Sequence, residues 1–135
     1  VRITLVDGSY HPVDSSEMAF KTASSIAFKK AMEEAKPVLM EPYYNLYVLC
    51  AESMMGDVIG DLNSKRGRIL GMQSVEEGIS RVEAQVPYAE IMEYSVDLRA
   101  LTQGMGTFEM KFDHYEDVPA KMAEKIIEER KKEAE

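Results

Sequence analysis

Between residues 43 and 112 the spacing of apolar side chains switches back and forth between a period of two and a period near 3.6, and that succession leaves few folds open. Tyr44, Leu46, Val48 and Cys50 alternate with Asn45, Tyr47 and Leu49, the pattern of a central strand with both faces substantially covered. Met55, Val58, Ile59 and Leu62 have helical spacing, and Gly67 reads as the helix stop. Arg68–Met72 reads as a second strand, Glu76–Gly78 as a polar turn, and Ile79–Val86 as a third strand with Val82, Ala84 and Val86 on one face. Pro87 is expected to open a helix striped by Ile91, Tyr94, Leu98 and Leu101, which Gly104 and Gly106 break. Phe108, Met110 and Phe112 then alternate as a final strand. Gly56 and Gly60 share one face of the first of these helices. Each costs about 1 kcal/mol against alanine, so a close approach there is expected.

In order these segments read strand–helix–strand–strand–helix–strand. Two right-handed crossovers joined by a hairpin predict an α+β, ferredoxin-like βαββαβ sandwich over residues 43–119. A smaller unit precedes it. Arg2–Val6 alternates as a short strand, Asp7-Gly8 signals a turn, and Pro12 stiffens the exit from the loop. Asp14 or Ser15 is placed to cap a helix, with Glu17 close to a capping box. That helix runs to about Ala35 along a stripe of Ala19, Ala23, Ile26, Ala27 and Ala31, suited to packing on a sheet. Lys36-Pro37 ends it, because the residue before proline avoids helical angles. The expected organisation is therefore 1–36, a linker at 37–42, the sandwich at 43–119, and a charged C-terminal helix at 120–135. The absence of an initiating methionine at Val1 is expected of a piece of a longer polypeptide.

Charge narrows the function. The net charge is −8, so the surface as a whole repels nucleic acid, and phosphate binding needs a local cationic cluster. Lys65, Arg66 and Arg68 form the only dense one in the folded region; the structural alternative is favourable charge at a helix C-terminus. No run of about 18 apolar residues occurs, and no membrane span is expected. Cys50, the sole cysteine, excludes an internal disulfide and is expected to be a buried, inert thiol in a reducing compartment. There is no GxxxxGK[ST] phosphate loop, no GxSxG and no metal-spaced His/Cys pair, and His11 and His114 fall in different units. This chain is therefore expected to be no enzyme, with no catalytic residue, metal or cofactor of its own. From composition alone the Ser9-Tyr10-His11 loop is a polar turn; an aromatic ring beside an imidazole also offers stacking and hydrogen bonds to nucleotides.

Three runs carry a family likeness: LVDGSYHPVDSSEMAF (Leu5–Phe20), GDVIGDLNSKRGRILGM (Gly56–Met72) and DLRALTQGMGTFEMKFDHYEDVP (Asp97–Pro119). In that order they resemble the C-terminal part of translation elongation factor G, the end of domain IV followed by domain V. The resemblance implies a ribosome-contacting fragment of a translational GTPase that promotes tRNA–mRNA translocation, with GTP and Mg2+ bound by the parent outside this stretch. It implies a cytoplasmic protein whose partners are rRNA, ribosomal proteins and the tRNA–mRNA pair near the decoding region, with no membrane or DNA partner. It makes Ser9, Tyr10 and His11 a tip loop that touches ribosomal RNA, and turns Lys65, Arg66 and Arg68 into a second RNA-contacting set. The sequence departs from the family at Met105, where Arg is common, in the tyrosines of 43–50, and in the acidic turn Ser74–Gly78. These departures imply a divergent or paralogous member, such as a recycling factor. The alternative reading is a free-standing ferredoxin-like module that binds a small molecule or dimerises through its sheet; an independent hydrolase is the weakest of the three.

Overall fold

The protein's structure, a computed structural model, describes residues 1–134; Glu135, the last residue of the expected C-terminal helix, lies outside them. The chain divides into two compact units, the first Val1–Val38 and the second from Leu39 onward.

In the first unit the helix α1 spans Glu17–Glu34. Its cap is Ser16, one or two residues later than expected: the Ser16 hydroxyl accepts from the Ala19 amide at 3.1 Å. Ser15 is instead used inside the loop, where its hydroxyl accepts from His11 N–H at 2.7 Å. Residues 2–6 form no strand. Their alternation is real, but a strand exists through its ladder, and these residues pair with none among the described residues. No α1 residue is buried.

The second unit follows the order β1 (Met40–Ala51), α2 (Met55–Ser64), β2 (Arg68–Glu76), β3 (Ile79–Pro87), α3 (Tyr94–Leu101), β4 (Thr107–Asp117) and α4 (Ala120–Ala134). The four strands make one antiparallel sheet ordered β2-β3-β1-β4, which is the ferredoxin-like arrangement. β1 starts at Met40, inside the stretch read as linker, because Met40, Glu41 and Pro42 register with Asp117, Glu116 and Tyr115. Pro87 closes β3 rather than opening a helix. A single 3-10 turn at Tyr88–Glu90 intervenes, and α3 begins at Tyr94.

The core lies between the two central strands and the helices. Leu46, Val48 and Cys50 of β1 and Val82, Ala84 and Val86 of β3 are buried against Val58 and Leu62 of α2 and Ile91, Tyr94 and Leu98 around α3. The Tyr94 ring meets Phe108 edge-on, centroids 5.1 Å apart. Alternation alone overstates β4: Phe108 packs against the core, but Met110 and Phe112, farther along this edge strand, stay exposed. The outer face of β1 is more open than its apolar content implies, with Asn45 and Tyr47 half-buried and Leu49 exposed.

Three helices end on a non-glycine residue with positive φ: Lys36, Arg66 and Gln103. After α2 the Gly67 amide reaches Leu62 O at 2.8 Å and the Arg66 amide reaches Asn63 O at 3.3 Å, a Schellman closure with Arg66 left-handed. Gly67 is therefore not the left-handed residue. It is required because a Cβ there would sit 2.6 Å from the Leu62 carbonyl oxygen. Gly56 and Gly60 show the reverse: a Cβ at either meets nothing within 4 Å, so the close approach expected of them is absent.

Substituting Gly60→Ala is expected to stabilise the chain by about 1 kcal/mol, while Gly67→Ala destabilises it by at least that much. Urea unfolding of the two variants measures both; equal signs would refute the assignment of Gly67.

Candidate functional site

The loop before α1 is closed by its own side chains. Gly8 N–H donates to Asp7 Oδ1 at 2.8 Å, and Ser15 N–H returns to His11 O at 2.9 Å while His11 N–H meets the Ser15 hydroxyl. His11 Nδ1 accepts from Val13 N–H at 3.3 Å and lies 3.5 Å from Asp14 Oδ2. One ring nitrogen cannot serve both contacts at once: Nδ1 accepts from Val13 N–H when it carries no hydrogen and donates to Asp14 when it does. Tyr10 stacks on Phe20 of α1 with centroids 6.4 Å apart and 16° between planes, yet remains 71% exposed. Ser9, Tyr10 and His11 thus form an outward-facing tip whose backbone is braced from within, offering one aromatic face and the imidazole Nε2 edge.

The basic turn is assembled differently. Lys65 Nζ bridges Asp61 Oδ1 at 3.2 Å and Asp97 Oδ2 at 3.1 Å, and its side chain is only 17% exposed. Burial alone would lower its pKa, but the hydrogen bonds to Asp97 and Asp61 outweigh it and hold the ammonium charged. Arg66 makes a bidentate pair with Glu41, Nη1–Oε1 at 2.6 Å and Nη2–Oε2 at 3.0 Å, and its Nε reaches Glu90 Oε1 at 3.1 Å. Those bonds, with Glu41 first, push its pKa up. Arg68 pairs with Glu116 at 2.8 Å and lies over the Tyr43 ring, 5.1 Å from its centroid. The Glu116 bond raises the arginine and, reciprocally, lowers the glutamate.

Lys65, Arg66 and Arg68 are thus close in sequence but committed to carboxylates on separate elements. They do not present three free cations. A phosphate reaching Lys65 or Arg66 must displace buried or half-buried partners; Arg68 is the most open of the three, its side chain 53% exposed.

Sequence reasoning missed the partners. Asp61 lies four residues before Lys65 on one helix face and was legible as such a pair. Glu41, Glu90, Asp97 and Glu116 lie 24 to 48 residues from the cations they hold, or on the next helix, and no local signal announces them. It also missed a polar relay on the outer face of the sheet. The β1–β4 register slips between Tyr43 and Tyr44, which frees Asp113 from pairing. Asp113 then accepts from Asn45 Nδ2 at 3.0 Å, from Gln85 Nε2 at 3.1 Å, and meets His114 Nδ1 at 2.5 Å. His114 in turn stacks on Tyr43. Cys50 is buried, and burial raises its thiol pKa, so it is a poor nucleophile. Burial, assisted by the charge of Asp61, likewise keeps the Tyr94 phenol neutral.

The family model for the elongation factor G C-terminus matches residues 38–126, and that for elongation factor G domain IV matches residues 1–36. This chain belongs to the elongation factor G family. Its two units correspond in order to domain IV and the C-terminal domain of elongation factor G. A crystal structure of a Thermus thermophilus protein is 51% identical to it, superposes with a TM-score of 0.80, and matches over 93% of this chain. The chain spans 19% of the length of that protein.

Two measurements check the ion pairs. Glu41→Gln leaves Arg66 half-buried without its bidentate partner and is expected to cost about 2–3 kcal/mol in urea unfolding. For Glu116, whose folded pKa lies below the ordinary 4.5, the contribution to stability is complete above that value and fades as pH falls through the folded pKa. The stability gap between the native chain and Glu116→Gln is therefore expected to be present at neutral pH and to close in acid.

Proposed function

We propose that this chain is the ribosome-facing C-terminal portion of a translational GTPase that promotes movement of tRNA and mRNA through the ribosome. Its family membership and the pairing of domain IV with the C-terminal domain in one polypeptide support that reading over a free-standing module. GTP and Mg2+ belong to a part of the parent factor outside this stretch, and this chain hydrolyses nothing. Its partners are ribosomal RNA and ribosomal proteins, and the parent acts in the cytoplasm. Among the described residues no helix is long and apolar enough to cross a membrane.

The observation that carries the proposal is the tip: Tyr10 and His11 stay open to solvent on a loop locked by Ser15 and Asp7, with one face of Tyr10 stacked on Phe20 of α1. A braced aromatic and imidazole pair is able to stack on and hydrogen-bond to unpaired bases without a large ordering cost. The mechanical role follows: GTP-driven domain rearrangement carries the tip into the decoding region, where it blocks back-slippage. Arg68, the least enclosed cation of the basic turn, is the best placed of Lys65, Arg66 and Arg68 for a further phosphate contact.

In the full factor, His11→Ala is expected to slow single-round translocation about tenfold, the loss of one or two contacts made at the moving step, while ribosome-stimulated GTP hydrolysis stays near the native rate. Equal loss of both activities would remove the separate role of the tip.

A further inference from the structure

The net charge of the protein is unevenly placed. Residues 39–119 hold 14 Asp and Glu against 6 Lys and Arg, so this stretch alone accounts for the whole −8. Of its six cations, Lys65, Arg66, Arg68 and Arg81 are engaged by carboxylates, while Arg99 and Lys111 have no ion-pair partner within 4.0 Å among the described residues. Several carboxylates are not so engaged: among the described residues Glu52, Glu76, Glu77 and Glu109 have no ion-pair partner within 4.0 Å.

One of them, Glu109, lines a groove, and the other three lie in or against the hairpin that follows its lining residue Val75. On the outer face of the sheet, away from α2 and α3, an open groove of about 350 Å³ is lined by Tyr47, Leu49, Val75, Arg81, Thr107 and Glu109. The register explains it: Leu49 lies between Arg81 of β3 and Thr107 of β4, and Tyr47 between Glu83 and Glu109. Its apolar surface is open to solvent, with Leu49 38%, Val75 52% and the adjoining Ile79 40% exposed. Glu76 ends β2 directly after Val75, Glu77 opens the hairpin turn, and Glu52 N–H bonds to Gly78 O of that turn at 2.9 Å. The one cation in the groove, Arg81, is matched by Glu83 at 3.2 Å and packed on the Tyr47 ring at 4.6 Å.

We propose that this groove docks an extended, Lys/Arg-rich segment of a protein partner, with apolar side chains at alternate positions. Its apolar floor takes side chains that recur every second residue, as the strands beneath present theirs. The unpaired carboxylates at its rim take the cations between them. The same rim disfavours the other occupants. Nucleic acid phosphates meet Glu109 and the acidic hairpin turn, and Arg81, the cation lining the groove, is already paired; a second copy of this chain brings a second acidic rim. The inference rests on the chemistry of this face alone and stands apart from the role of the tip loop.

The test uses the 135-residue chain, isotope-labelled, titrated with a short synthetic peptide alternating Lys and Val at about 50 mM salt, where exposed charges still act over roughly 10 Å. Amide shifts are expected at Tyr47, Leu49, Val75 and Thr107. The triple variant Glu76→Gln, Glu77→Gln, Glu109→Gln is expected to weaken binding about tenfold, and Leu49→Ser to weaken it without any change of charge. The control Glu93→Gln, Asp117→Asn, Glu124→Gln removes as much charge from the far end of the sheet, where β3 and β4 finish, and is expected to leave the affinity unchanged. All substituted residues but Leu49 are exposed polar groups, so the variants are expected to fold, which thermal unfolding verifies. Equal weakening by the two charge sets would reduce the effect to general attraction between a polycation and an acidic protein and overturn the proposal. So would displacement of the peptide by a short oligouridylate, or self-association of the chain through the same amides.

Discussion

Everything else in the second unit hangs on the contact between the inner faces of β1 and β3 and the two helices that cover them. Val48 sits opposite Val82 and Leu46 opposite Ala84, all fully or almost fully buried, and Val58, Leu62, Tyr94 and Leu98 close over them. Each such side chain contributes about 1.5–3 kcal/mol on leaving water. That contact fixes which face of the sheet is dry, and so which face is left open. It also brings the C-terminal end of α2 beside the starts of β1 and α3, and this is where the basic turn finds its carboxylates.

The Arg66 clamp shows how the fold accepts a local cost for a long-range tie. Its backbone is left-handed, with φ 60, a conformation that disfavours residues with a Cβ by about 1 kcal/mol or more. In that position its guanidinium grips Glu41 at the start of β1 and Glu90 in the turn before α3. The basic cluster is thereby a fastening between elements first. Only Arg68 at its edge retains an open side chain, and the tip loop, braced by hydrogen bonds but not buried, is the freer surface for contact.

Much of this was legible in the sequence. Alternation at 44–50 and 80–86 and helical spacing at 55–62 and 91–98 identify the elements, and their order leads to the ferredoxin-like sheet. Element boundaries were less legible, since pairing across strands, not propensity, extends β1 back to Met40 and β4 on to Asp117. The strand expected at 2–6 illustrates the same physics in reverse: its alternation meets no partner in the described residues, and no ladder forms. Gly56 and Gly60 misled because a glycine reports that a Cβ is dispensable, whereas Gly67 carries the real constraint, a carbonyl 2.6 Å from where its Cβ would lie.

By itself the sequence determined the element order, the inner apolar face, the family and the exposed Tyr10-His11 tip, because all of these follow from short-range spacing or from contiguous motifs. Tertiary structure alone decided what the charges do. It joined Arg66 to Glu41, Arg68 to Glu116 and Lys65 to Asp97, and it left Glu109 without an ion-pair partner in an open groove beside an acidic hairpin turn. Charge pairing depends on distances between residues far apart in the chain, and those distances exist only once the sheet has formed.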